Sequence, residues 1–198
     1  MSKIILASAS PRRKKLLKQI GLSFDVFPSN AEEISSQEDP AKLVEELALL
    51  KARDVSSQFT NAFIIGADTI VVHNQQILGK PNNKTEAAEI LRSLGGTIHS
   101  VYTGVAFVKV DKNGNNELEH SFHEQTKVTF STLEESEIQA YIETGNPMDK
   151  AGAYGIQDDL GALFVEGIEG DFYNVVGLPL NRFYKEFKNK MPQTELLS

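Results

Sequence analysis

The chain has 198 residues, of which 40% are apolar and 24% charged, enough to bury a core in one α/β body and unlike collagen-like, coiled-coil or wholly disordered compositions. Its formal charge of −7 argues against a general nucleic-acid or membrane coat, because polyanions are held through many phosphate contacts on broad basic surfaces. Cysteine is absent, which excludes disulfides, thiolate zinc sites, iron-sulfur clusters and a cysteine nucleophile, and points to a reducing, cytoplasmic compartment.

Residues 3–7 read as a short buried strand. A helix follows, with Ser10 as its N-cap, Pro11 at its first position and Gly21 at its stop. The charge is unevenly placed here. Residues 1–24 carry six cations (Lys3, Arg12, Arg13, Lys14, Lys15 and Lys18) and no acid, leaving 14 of the 20 cations against all 27 acids in the remainder. The apolar run 4–7 is too short for a signal segment, and the richest stretch, 62–72, is interrupted by Asp68, so neither secretion nor membrane spanning is indicated.

Alternation predicts a strand over 23–27, and Asp39-Pro40 opens a long helix to about Gln58 with Leu43, Val44, Leu47, Ala48 and Leu50 in its apolar set. Residues 63–65 and 70–72 read as two strands. Asn74-Gln75-Gln76 is a turn, and 85–94 a helix ended by Gly95-Gly96. Residues 99–110 and 117–131 form a long pair joined through 111–115, where Asn113-Gly114 favours a hairpin turn. Thr132 caps a helix through Gly145, with Glu135 completing a capping box. Residues 146–179 are rich in Gly and Tyr, and 178–190 reads as a closing helix. No internal repeat or linker divides the chain. The expected fold is one α/β domain over 1–198, a mixed sheet flanked by helices around a central cleft, with two lobes as a variant of that plan.

Several residues stand out chemically. Leu6-Ala-Ser-Ala-Ser-Pro-Arg-Arg13 puts the hydroxyls of Ser8 and Ser10 and two guanidiniums at a helix start after a strand. Free amides, the positive dipole end and arginine forks all favour a polyphosphate there; equally, Ser10 is only a cap and the basic run a solvated helix face. Asp68 interrupts the apolar run Phe63-Ile-Ile-Gly-Ala-Asp-Thr-Ile-Val-Val72. Burial disfavours a charged carboxylate whereas a metal or a nearby cation favours it, both common in active sites; the alternative is a turn aspartate joining two strands. Gly66 beside it permits close approach of a ligand.

Lys51 lies in a stripe with Val44, Ala48 and Val55, and snorkelling to solvent is the simpler reading. Glu32, Glu33 and Lys80 fall in loops. With Asp68 they offer acids for a divalent cation and cations for a phosphate chain. In Asp149-Lys-Ala-Gly-Ala-Tyr-Gly-Ile-Gln157, Gln157 either satisfies buried backbone groups in a turn packed under Tyr154 or reads a base edge as donor and acceptor. His120 and His123 point to opposite faces of a strand, against a shared metal site. The absence of Gly-x-Gly-x-x-Gly, Walker and Gly-x-Ser-x-Gly patterns weakens dinucleotide, P-loop and α/β-hydrolase readings.

Jointly, Ser8-Ala-Ser-Pro-Arg-Arg13, Glu33, Lys51-Ala-Arg53, Gly66-Ala-Asp-Thr69, Leu78-Gly-Lys-Pro81, the 149–157 run and Val176-Gly-Leu-Pro179 resemble the Maf family of nucleoside triphosphate pyrophosphatases. Arg12, Thr69 and Gln157 are similar to the branch acting on dTTP and UTP; Asp158-Asp159 is less familiar. The resemblance implies a fold of the inosine triphosphatase type, a divalent cation (Mg or Mn) and a homodimer. It implies catalytic roles for Asp68, Lys51 and Lys80, metal binding by Glu33 and Asp68, and substrate binding by Ser8, Ser10, Arg12, Arg13, Thr69 and Gln157. It further implies a small-molecule nucleoside triphosphate as partner, neither nucleic acid nor membrane, and a link to septum formation and division arrest. The alternatives are a purine or methylated-guanine triphosphate pyrophosphatase, or a non-catalytic division regulator.

Overall fold

In a computed structural model, residues 2–158 and 160–191 are described; Asp159, the second acid of the unfamiliar pair, lies outside them. The chain divides into two compact units. The first comprises 2–68, 103–124 and 177–191, the second 69–102 and 125–176.

In the first unit, β1 (Lys3–Leu6) runs parallel to β2 (Asp25–Val26) and to the start of β3 (Ala62–His73), with Ile5 opposite both Asp25 and Ile64. Helices α1 (Pro11–Gln19) and α2 (Pro40–Ser56) begin where local chemistry dictates. Ser10 and Asp39 are extended N-caps whose side chains accept from the Arg13 and Lys42 amides, and each is followed by proline, whose fixed φ and missing N–H suit a first helical position. Gly21 ends the first helix at φ 75°. The predicted strand 23–27 is pared to two residues, prolonged by one bond from the Phe27 amide to the Leu6 carbonyl at 3.0 Å.

The sections of β5 (Ile98–Val110) and β6 (Asn116–Phe130) in this unit are joined through 111–115, and α6 (Leu180–Lys190) is the last element among the described residues. Side chains of β3 alternate between two helical layers. Ile64 joins Ile5, Ala106, Val108 and the α2 residues Ala48, Ala52 and Val55, while Phe63 packs edge-on against Phe187 of α6 and Phe107 edge-on against both Phe183 and Phe187. With both faces covered, the strand reads as continuously apolar.

A single β3 replaces the two strands expected at 63–65 and 70–72, so Asp68 sits inside a strand rather than in a turn. Gly66 has a different role from the one expected. An added Cβ there would collide with the Ala48 carbonyl of α2, and one at Gly104 of β5 would strike Val44. The two glycines let a helix, not a ligand, approach the sheet. Gly66→Ala is therefore expected to cost about 1–3 kcal/mol of stability, a fall in Tm on the order of 5 °C. A thermal melt indistinguishable from wild type would refute that seating of α2.

The second unit holds the far sections of β3, β5 and β6. β4 (Gln76–Leu78) pairs antiparallel with β3 through a turn in which Asn74 and Gln75 adopt φ of 48° and 63°. α3 (Lys84–Leu94) and α4 (Glu135–Glu143) follow, then β7 (Val165–Glu169), antiparallel to β6, and the short α5 (Phe172–Val176). The cap of α4 differs from the expected Thr132 and Glu135: Glu134 and Glu137 form the capping box, the Glu134 amide donating to Glu137 Oε2 at 2.7 Å. The chain just before is held extended, its Ser131 amide bonded to the Phe164 carbonyl and its Ser131 carbonyl to the Gly96 amide, so the helix starts two residues later. Hydrogen-bonded strands follow the order β2-β1-β3-β5-β6-β7, with β4 on β3, the mixed α/β sheet expected.

Candidate active site

The first unit concentrates most of the singled-out residues. Asp68 is buried near the end of its section of β3, and α2, seated by Gly66, brings Lys51 onto it: Lys51 Nζ lies 2.6 Å from Asp68 Oδ1 and 2.8 Å from Glu33 Oε1. The Lys51 side chain is only 13% exposed. The snorkelling reading therefore fails, because the ammonium meets an internal carboxylate instead of solvent. Two carboxylates, one buried and one on an exposed loop residue, converge on a single cationic point.

Ser8 is buried at the end of β1, and its Oγ accepts from the Ser10 amide at 3.3 Å and from Arg13 Nη1 at 3.1 Å. Arg13, also buried, donates through Nε to the Gly177 carbonyl at 2.9 Å. Two guanidinium N–H groups thus tie the helix start to protein oxygens, and what Arg13 brings to an anion is chiefly charge. Burial lowers its pKa; Asp68 opposes that shift, Arg12 adds to it and Glu33 opposes it. The run that lacks an acid in sequence is compensated in space, by these two carboxylates and by an Asp25–Lys3 pair at 2.9 Å. Ser10 acts as the helix cap, and Lys14, Lys15 and Lys18 are exposed.

Thr69, Lys80 and Gln157 belong to the second unit. Thr69 follows Asp68 on β3 and is half-buried. Lys80 is exposed after β4, in a loop tied to the glycine-rich run by a bond from the Gly152 amide to the Gly79 carbonyl at 3.1 Å. Gly152 is required there: its φ is 71° and an added Cβ would press on Val71. Tyr154 is a core residue, its hydroxyl 2.8 Å from His99 Nε2.

Gln157 is exposed, and its amide bonds the Asp158 carboxylate rather than buried backbone. Sequence reasoning missed the cluster behind it, Tyr141, Lys150 and Asp158. Lys150 lay in the quoted run, and the unfamiliar Asp158 was the available signal. His120 and His123 turn to different helices, pairing with Glu186 and Glu45.

Among the described residues no three or more His, Asp or Glu side chains gather as an all-protein metal cage would require. The two carboxylates that do meet, Asp68 and Glu33 at the Lys51 ammonium, are of the donor type that Mg²⁺ or Mn²⁺ takes, one or two at a time, beside phosphate and water oxygens.

Fold and site together define a mixed α/β protein with a buried lysine–aspartate pair beside a basic helix start, suited to a charged phosphate substrate. The chain belongs to the family described as Maf-like protein, whose model matches residues 3–190. It is similar to the dTTP/UTP pyrophosphatases of Agathobacter rectalis (49% identical, covering 95% of this chain and 97% of that one), Lachnoclostridium phytofermentans (50%, 95% of each) and Bacillus anthracis (49%, 95% of each). Among solved structures, the nucleoside-triphosphatase / dITP/XTP pyrophosphatase of Mycobacterium abscessus aligns with a TM-score of 0.39 at 15% identity, covering 66% of this chain and 75% of that one.

Proposed function

We propose that the protein hydrolyses dTTP and UTP to the nucleoside monophosphate and pyrophosphate. The observation that carries this reading is the convergence of Asp68 and Glu33 on Lys51 in a chain 49% identical, over nearly its whole length, to proteins named for that activity. Water attacks the α-phosphorus. Its oxygen forms the new P–O bond, the bond to the bridging α-β oxygen breaks, and pyrophosphate departs with that electron pair. Asp68 accepts the proton lost by the water, an acceptor held in place by Lys51.

Ser8, Ser10, Arg12, Arg13, Lys51 and Lys80 bind and neutralise the triphosphate and its leaving group, the charge stabilisation that dominates phosphoryl transfer. Arg12, Thr69 and Gln157 select the base. Glu33 and Asp68 hold a divalent cation, Mg²⁺ or Mn²⁺, which when bound supplies positive charge to the phosphate oxygens. The reading includes a cytoplasmic homodimer, supported for its compartment by the lack of cysteine, and a role in restraining septum formation.

Product analysis tests it. With dTTP and UTP, monophosphate and pyrophosphate are expected in equal amounts. Diphosphate with inorganic phosphate contradicts the bond assignment, and preference for a purine triphosphate contradicts the base assignment.

A further inference from the structure

We infer that Asp158 is a positioning residue that locks the Gln157 side-chain amide in one orientation, and so sets the discrimination between uracil or thymine and cytosine. The inference rests on the pyrimidine reading of Gln157 proposed above. Asp158 is held from behind: its Oδ2 accepts from the Tyr141 hydroxyl at 2.9 Å and pairs with Lys150 Nζ at 3.1 Å. Its side chain is 14% exposed and that of Lys150 8%.

Both supports are fixed in turn. The Lys150 ammonium also meets the Asn146 carbonyl at 2.5 Å and Asp149 Oδ1 at 2.7 Å. The Tyr141 hydroxyl accepts from the Gly155 amide at 3.0 Å, so its own proton goes to Asp158. Burial, then the charge of Asp158 and its hydrogen bond, push the Tyr141 pKa up, which keeps that proton on the oxygen. The Asp158 amide bonds the Gly155 carbonyl at 3.0 Å, and a Cβ on Gly155 would intrude on both Asp158 Oδ2 and Gln157 Nε2. The loop is shaped around this contact.

Asp158 Oδ1, the oxygen aimed at the exposed Gln157, lies 2.8 Å from Nε2. A carboxylate paired with lysine only accepts hydrogen bonds, so the nitrogen end of the amide must face it and Oε1 must face away. Gln157 then presents a fixed acceptor, with the second N–H beside it. Uracil and thymine carry an N3–H between two carbonyl oxygens, which matches an acceptor flanked by a donor. Cytosine carries an unprotonated N3, which would set lone pair against lone pair. An unlocked amide could flip and serve either base.

Asp158→Asn keeps the shape, but its one oxygen is claimed by the Tyr141 hydroxyl and the Lys150 ammonium, so its nitrogen faces Gln157 and turns that amide over, which presents Nε2 instead of Oε1 to the base. The ratio of kcat/KM for UTP over CTP, read by released pyrophosphate, is expected to fall about tenfold, the discrimination of one well-placed base contact. KM for UTP should rise while kcat holds, as for lost uniform binding. Asp158→Glu, which remains acceptor-only, should restore part of the ratio.

A second measurement needs no variant. In ¹⁵N-labelled wild-type protein one of the two Gln157 Nε2 protons should exchange with water more slowly than the other. An unchanged UTP/CTP ratio in folded Asp158→Asn, or two equally fast protons, overturns the inference while leaving the proposed function standing. A wild-type enzyme with no pyrimidine preference overturns both.

Discussion

Asp68→Asn is expected to lower turnover of dTTP and UTP by about 100-fold or more while leaving the circular dichroism spectrum unchanged. Asparagine keeps the volume and an acceptor oxygen for Lys51, which retains Glu33 at 2.8 Å, but it cannot take a proton from water. The companion variant Lys51→Met separates chemistry from structure. It strips the buried Asp68 of an ammonium 2.6 Å away, and breaking a buried pair from one side costs about 3–5 kcal/mol because a charge is left uncompensated. Asp68→Asn should thus lose activity with modest loss of stability, and Lys51→Met should lose both. Urea melts and pyrophosphate release on both variants decide between them. Near-normal turnover by a folded Asp68→Asn removes the proton-accepting role.

The two changes should also be non-additive. Once position 68 is neutral, Lys51→Met no longer strands a charge, so its stability cost in the double variant should be smaller than in the single one. Equal costs in the two backgrounds would mean that the contact is not energetically coupled.

How far the sequence disclosed this site depended on the range of the interactions. Helix starts at Ser10-Pro11 and Asp39-Pro40 were legible because a cap and its amide are three residues apart. The Lys51–Asp68 pair was not, because it joins a helix to a strand across a loop, and a lysine in an apolar stripe reads as a snorkelling side chain unless the carboxylate opposite is known. Gly66 was noticed but misassigned: flexibility is local information, whereas the helix backbone that fills the space is not. Asp68 looked like a turn residue for a related reason. Its strand is covered on both faces, so no alternation marked its continuity through Gly66 and Ala67. The family motifs pointed to candidate residues without showing that Glu33 and Asp68 meet at one ammonium, that Arg13 is spent partly on Gly177, or that Gln157 is braced by Asp158.

Acidification is expected to destabilise the protein between about pH 6.5 and 4 through His99, by roughly 3 kcal/mol in all. The residue is 2% exposed on β5, with Nε2 bonded to the Tyr154 hydroxyl, its ring edge-on to Phe130 at 4.9 Å, and no hydrogen-bond partner for Nδ1 among the described residues. Burial, and secondarily the charge of His73, lower its pKa from 6.5 to about 4. The folded pKa is therefore the depressed one. Below pH 6.5 the unfolded chain takes up a proton that the native state refuses, and stability falls until the native histidine also protonates near pH 4. Above pH 6.5 both states are neutral there and His99 adds no slope. Glutamine places its amide near the Nε2 position and does not titrate, so His99→Gln should retain the Tyr154 contact and lose this share of the acid sensitivity. Urea midpoints at pH 7.5, 6, 5 and 4 provide the measurement: the wild-type curve should drop more steeply than that of His99→Gln. Parallel curves would mean that the imidazole is protonated in the native protein as readily as in the unfolded chain, which its apolar enclosure by Phe130 and Tyr154 opposes.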